Sequence, residues 1–229
     1  MISIQPATLR FLKELSTNND RDWFAANKAR YTSAHENMCA FVDALIVGMN
    51  KHDKIENESG KKSIYRIYSD VRFKKDKSPY NPRFAFSLQR ATKFLRGGYY
   101  MRIQPGECFL ACGFFAPNPQ DLKRIREDID LNYTNWKKLL KNKSIVEYFG
   151  GKLSGETVAT APKGFPRDHD AIELLRHKQF ILKHTFSDKE VIAEDFLHTA
   201  NRMYKGVRPF FDYMSEVLTT DANGESLVK

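Results

Sequence analysis

What this chain lacks narrows its chemistry before any motif is read. Its three cysteines, Cys39, Cys108 and Cys112, are too few and odd in number for a disulfide framework in 229 residues. Cys108 and Cys112 fall on one face of a strand about 13 Å apart, beyond the reach of a bridge. Reduced thiols make a reducing cytoplasm the expected compartment. No run of eighteen apolar residues occurs, so neither a transmembrane helix nor a membrane partner is expected. The opening MISIQPATLRFLKEL places charges where a signal peptide needs an apolar stretch, and it reads instead as a folded helix. The chain has no GxxxxGK[ST] phosphate loop, no GxGxxG after a strand, no GxSxG nucleophile turn and no CxxC pair. HENMC, His35 to Cys39, is half of a zinc-protease helix with cysteine at the second ligand position. No third ligand can be named for it, so no metal and no cofactor are expected.

What is present is positive charge, unevenly spread. The net charge is +9, and residues 61–103 hold twelve Lys or Arg against only Asp70 and Asp76, a local surplus of ten. That one segment accounts for the whole excess. Such a field concentrates anions around it; a solvated basic face is the alternative.

The apolar spacing defines an α+β chain. Leu9, Leu12 and Leu15 predict a short helix from Pro6, Asp20 reads as an N-cap, and Phe24, Tyr31, Met38, Phe41, Leu45 and Met49 predict one long amphipathic helix from Arg21 to about Met49. The stretch around RIYSDVRFKKDKSPY alternates like a strand, with Tyr65, Ile67, Val71 and Phe73 facing a core and Arg66, Tyr68, Asp70, Arg72 and Lys74 facing out. FAFSLQ, GYYMRIQP, ECFLACGFF and FILKHTF are further strands. Helical spacing returns from Leu122 to Leu140, and Asp170 with Glu173 fits a capping box, with Asp168 or His169 as the alternative cap. The fold expected is therefore an antiparallel sheet of about four to six strands packed against several helices, with a long N-terminal helix. No repeat or low-complexity linker interrupts it, so residues 1–229 read as a single domain with a polar tail from about 218.

Three stretches carry a resemblance: FLKELSTNNDRDWFAANKARY; the basic segment through Arg66, Asp70, Arg72, Phe73, Asp76, Lys77, Pro79 and Tyr80; and PKGFPRDHDAIELLRHKQF. Together they resemble the bacterial proteins grouped as domain of unknown function 2461, over about residues 8–203. Ser69 stands where that family usually has arginine, and Ala111-Cys112 where it often has Gly-Gly. The resemblance implies a single bacterial domain of this length and brings no activity with it.

Its marked residues nonetheless nominate a site. Arginine presents a planar fork suited to phosphate or carboxylate, and a neighbouring aspartate can hold that fork in place. Arg21, Asn27, Arg66, Arg72, Asp76, Lys77, Tyr80, Lys163, His169 and Arg176 are the expected ligand contacts, with Arg21 or Asn27, Arg72 and His169 expected in a common cleft. The Arg66–Asp70–Arg72 row suits an oxyanion site and a salt-bridge ladder equally well. Whether the protein is an enzyme stays open; Asp70 and His169 are the acid–base candidates. A phosphate-bearing or other anionic small molecule is the preferred ligand. Nucleic acid is the first alternative, with Tyr65, Tyr68, Tyr80, Tyr99 or Tyr100 as stacking faces, and a non-catalytic interaction domain is the second.

Overall fold

Asn19 reaches 61 residues along the chain to hold Tyr80. Its Nδ2 donates to the Tyr80 carbonyl at 2.9 Å, and its Oδ1 accepts the Tyr80 N–H at 3.1 Å. One side chain thus makes the pair of bonds that a residue in a β-ladder would make. The structure is a computed structural model of the chain, and it describes residues 2–70, 72, 77–221 and 223–228.

Ahead of that clip lies α1 (Pro6–Thr17), opened by a proline whose missing N–H has no helical partner to lose. It buries Leu9, Phe11, Leu12 and Leu15. Asp20 caps α2 (Arg21–Ala26) by accepting the Trp23 N–H at 2.8 Å. The helix expected to run unbroken from Arg21 to Met49 is interrupted at Asn27, whose amide donates to the Trp23 carbonyl and so terminates α2. After it, α3 (Lys28–Met49) buries Ala34, Met38, Phe41, Val42, Leu45 and Met49 along one stripe. That stripe packs on α1, on the short α4 (Gly60–Ser63) and on the first strand. Gly60 lies so close to α3 that a Cβ there would come within 2.4 Å of the Cys39 carbonyl oxygen.

Four strands, β1 (Phe84–Gln89), β2 (Gly98–Ile103), β3 (Cys108–Phe114) and β4 (Phe180–Phe186), form an antiparallel sheet in that order. Alternation along β2 and β3 sends Tyr99, Met101, Ile103, Cys108, Leu110 and Cys112 inward. Burial pushes the Cys108 thiol up to about 11 and the Cys112 thiol well above its ordinary value. Both therefore stay protonated at neutral pH.

Among the described residues, the strand expected through the basic segment does not form. Residues 64–70 make two isolated bridges, Ile64 with Phe86 and Tyr68 with Tyr80, and are otherwise irregular, with a bend at Ile67. Ile67 is buried as expected, whereas Tyr65, expected in the core, is 53% exposed. Val71, Phe73 and Lys74 lie outside the described residues.

Helices complete the chain: α5 (Pro119–Leu131), α6 (Tyr133–Leu140), α7 (Lys143–Phe149), α8 (Ile172–Leu175), α9 (Asp188–Val191), α10 (Phe196–Gly206) and α11 (Arg208–Thr219). The capping box expected at Asp170 and Glu173 does not form, because α8 starts after Ala171 with no side-chain cap. A capping box does open α9, between Ser187 and Glu190. Among the described residues no helix is long and apolar enough to cross a membrane.

The chain groups into two compact units: Met1–Gln89, Tyr100–Leu110 and Thr185–Arg202 in the first; Arg90–Tyr99, Ala111–His184 and Met203–Lys229 in the second. The first is centred on α3, with Phe41 stacked on Phe196. In the second, α5 packs on α6, α8 and α11 around Trp136. There Asp128 accepts the Trp136 indole N–H at 2.7 Å and the Tyr213 hydroxyl at 2.8 Å, satisfying one buried and one half-buried donor with one carboxylate oxygen.

Candidate functional site

Two of the marked stretches meet inside the first unit, and most of what they build there is architecture. The Phe24 ring stacks on Tyr80 at 4.0 Å between centroids, with Phe11 and Tyr31 against its other sides. Lys28 sets its ammonium 5.3 and 4.8 Å over the Phe24 and Tyr31 rings. Tyr80, expected to face a ligand, is instead 7% exposed and part of this cluster. Asn27 is likewise committed: its amide ends α2, and its Oδ1 accepts from Arg30, which pairs with Glu14. Arg21 stays exposed in the first turn of α2, and Lys77 is exposed. Asp76 lies outside the described residues.

The Arg66–Asp70–Arg72 row is split. Arg72 forks onto Asp70, Nε to Oδ1 at 3.0 Å and Nη2 to Oδ2 at 2.8 Å, with both side chains largely in solvent. Both Asp70 oxygens are thus engaged by this one arginine. Arg66 turns elsewhere. The Tyr65 N–H donates to the Ala85 carbonyl at 2.8 Å and the Asn81 N–H to the Ile67 carbonyl at 2.7 Å, which ties residues 65–67 alongside 81–85. Arg66 and Arg83 are thereby brought to one pocket of about 210 Å³, shared with Tyr65, Asn81, Ala85 and Tyr100. None of these six residues is acidic, and neither guanidinium has a hydrogen bond or ion pair among the described residues.

A row of rings continues from the pocket along the outward face of the sheet. Tyr65, its hydroxyl 2.9 Å from Ser87 Oγ, lies 6.4 Å from Tyr100, and Tyr100 lies 5.6 Å from Phe109. The Arg102 guanidinium, held by Gln104 and Glu107, sits 5.7 Å over Phe109. Burial raises the Tyr100 pKa while Arg83 and Arg102 pull it back, so its hydroxyl stays protonated at neutral pH. Of the five tyrosines considered as stacking faces, Tyr65 and Tyr68 are exposed and Tyr100 is half-buried. Tyr80 and Tyr99 are interior, Tyr99 set edge-on to Tyr204 and Phe211. Sequence reasoning missed Arg83 and Asn81. The available signal was register: Arg83 precedes Ala85 by two, on the side of FAFSLQ that faces away from the core.

The third stretch lies in the second unit. His169 accepts the Ala171 N–H on Nδ1 at 2.9 Å, and its Nε2 is 2.8 Å from Asp130 Oδ1, which assigns the proton to Nε2. With the Nδ1 lone pair already taken by a backbone amide, His169 has none left for a general base; it anchors the turn before α8 to α5. Neither Asp168 nor Asp170 caps that helix. Lys163 is exposed in the preceding loop, and Arg176 faces Glu173 at 3.5 Å. His35 and Cys39 contact one another at 3.6 Å, and burial lowers the histidine's pKa and raises the thiol's. Among the described residues no three His, Cys, Asp or Glu gather as a metal site requires.

No curated protein and no solved structure matches this sequence. The clip between Asn19 and Tyr80 and the packing of Phe24 on Tyr80 tie together the very stretches that resemble one family. The profile of the family described as Conserved hypothetical protein (DUF2461) matches residues 7–213, and the chain belongs to that family.

Proposed function

We propose that the protein binds a phosphate-bearing small molecule at the Arg66–Arg83 pocket. The observation that carries this reading is the convergence of two guanidinia, unpaired among the described residues, on one cavity with no acid in its lining. Arginines are normally neutralised by carboxylates, and two that line one small cavity repel each other unless an anion lies between them; here Arg66 is exposed and Arg83 half-buried. The volume, about 210 Å³, falls below the roughly 300–1,000 Å³ of sites that enclose whole ligands. It suits a phosphate group whose remainder lies outside, along Tyr65, Tyr100 and Phe109.

That aromatic row favours one further reading, a base-bearing ligand that extends to single-stranded nucleic acid, because every base has a face that stacks on a ring. Calorimetric titration at low salt with inorganic phosphate and with adenosine monophosphate tests the first reading. Saturable binding weakened by Arg66→Ala and by Arg83→Ala supports it, and no saturable binding of either probe ends it. Fluorescence anisotropy with a single-stranded oligonucleotide tests the second. A polymer contacted at several phosphates loses affinity by orders of magnitude between roughly 50 and 200 mM salt, whereas a single phosphate does not.

A further inference from the structure

We infer that the second unit carries a separate site for a small organic carboxylate with an apolar body, in the cavity lined by Arg176 and His177. The cavity measures about 580 Å³, within the size range of sites that enclose small molecules. Its walls are fixed by backbone bonds. Ser154 N–H donates to the Ile181 carbonyl, Val158 N–H to the Arg176 carbonyl and Lys178 N–H to the Glu156 carbonyl, so the 151–159 loop is stitched to the chain leading into β4.

Two buried nitrogens in this lining, Arg176 Nε and His177 Nδ1, have no hydrogen-bond partner among the described residues. Buried polar atoms are almost always satisfied, by protein or by something bound. Glu173, also in the lining, does not fill the need: its side chain is 86% exposed and reaches only Arg176 Nη1, at 3.5 Å. Lys152, also in the lining, has no ion pair among the described residues and adds a second cation. Leu140, Leu153 and Leu174 also line the cavity. Burial lowers the His177 pKa against the opposing pull of the Gln179 backbone and Glu173, so the ring is neutral at pH 7 and adds no third charge. A planar monoanionic head on an apolar body matches one guanidinium, its side chain one-third exposed and its Nε without a partner among the described residues, beside leucines. A phosphate dianion does not, with Glu173 so near.

Calorimetry on the intact chain tests this with hexanoate, its neutral counterpart hexanamide, and inorganic phosphate. Expected are saturable binding of hexanoate, no saturation by hexanamide, and no competition by phosphate. Arg176→Gln weakens hexanoate about tenfold or more, the equivalent of one charge-assisted bond. Lys152→Gln, at an exposed loop position, weakens it severalfold and serves as the reading if Arg176→Gln fails to fold by circular dichroism. Arg83→Ala, which tests the pocket of the first unit, leaves hexanoate binding unchanged. Equal binding of hexanamide, no saturation by hexanoate, an unchanged affinity in Lys152→Gln, or a loss in Arg83→Ala would each overturn the inference.

Discussion

Arg83 and Arg90 come from the same basic segment and lead opposite lives. Arg90 belongs to the second unit. Its side chain is fully buried, donates to the Arg96 carbonyl at 2.9 Å and Ser215 Oγ at 3.2 Å, faces Asp212 at 3.5 Å and lies 5.1 Å over the Phe211 ring. Nearby, Arg96 pairs with Asp121. Arg83, in the first unit, shares a pocket with Arg66 and no carboxylate. The sequence counts all of these as one charge each. Only partners distinguish a cation that holds the fold together from one left over to meet a ligand.

Mutating the consumed cation first makes the largest break. Arg90→Ala leaves the Arg96 carbonyl and the Ser215 hydroxyl without their buried donor around a void, while the exposed Asp212 keeps Arg208 at 3.0 Å; a buried polar group left unsatisfied costs about 1–3 kcal/mol, to which the cavity adds. Urea denaturation should show a midpoint shift of that order, and a variant as stable as the parent would erase the distinction. Arg83→Ala should do the reverse. Stability stays within about 0.5 kcal/mol, as for most surface changes, while phosphate affinity falls by about 1.5–3 kcal/mol, the worth of a hydrogen bond to a charged group. Titration and melting of the same preparation read both numbers.

Histidines extend the comparison. His169 is committed to the Ala171 amide and Asp130, whereas His177 and His35 are half-buried with lowered pKa values, desolvation being the main cause in each. A histidine lowered on folding takes up its proton more readily in the unfolded chain. Its contribution is therefore fully present above the ordinary value of 6.5 and is lost as pH falls from there toward the folded value. The melting temperature should drop between pH 7 and pH 5, and His177→Gln should make that slope shallower; an unchanged slope would assign the effect to other groups. The smallest effect is expected at Arg72. Its bond to Asp70 is fully solvated, so Arg72→Ala should leave the melting temperature unchanged. It should also leave phosphate affinity unchanged, because Arg72 does not line the Arg66–Arg83 pocket. A marked loss of affinity would return Arg72 to the site.

Legibility in the sequence followed the range of the forces involved. β1 and β4 were readable to the residue as FAFSLQ and FILKHTF, since alternation and flanking turns are local, and so was the Asp20 cap. The break at Asn27 was not, because an asparagine amide that caps a carbonyl four residues back looks like any polar residue on a helix face. The basic segment alternated as a strand does, yet residues 64–70 obtained only isolated bridges, and alternation cannot say whether a neighbour is present to pair with. Arg66 could be suspected from its motif, but its meeting with Arg83 depends on the Tyr65–Ala85 backbone bond between segments twenty residues apart in the chain. His169 was noticed for its chemistry. Its geometry, with Nδ1 already occupied, is what takes that chemistry away.

The Asn19–Tyr80 clip has a consequence in protein ageing. Its two bonds fix which end of the amide points where, since a backbone carbonyl needs the NH2 and a backbone N–H needs the oxygen. Spontaneous deamidation of Asn19 would keep the side chain's shape but exchange its only donor group for a second acceptor, setting a carboxylate oxygen against the Tyr80 carbonyl. One bond of the pair would become a repulsion, and the tie between the first helices and the segment that carries Arg66 and Arg83 would weaken, with the Tyr80 N–H bond and the Phe24–Tyr80 stack remaining. Mass spectrometry of stored protein, one dalton heavier at Asn19, paired with a phosphate titration, would show whether slow loss of ammonia at this position disarms the pocket.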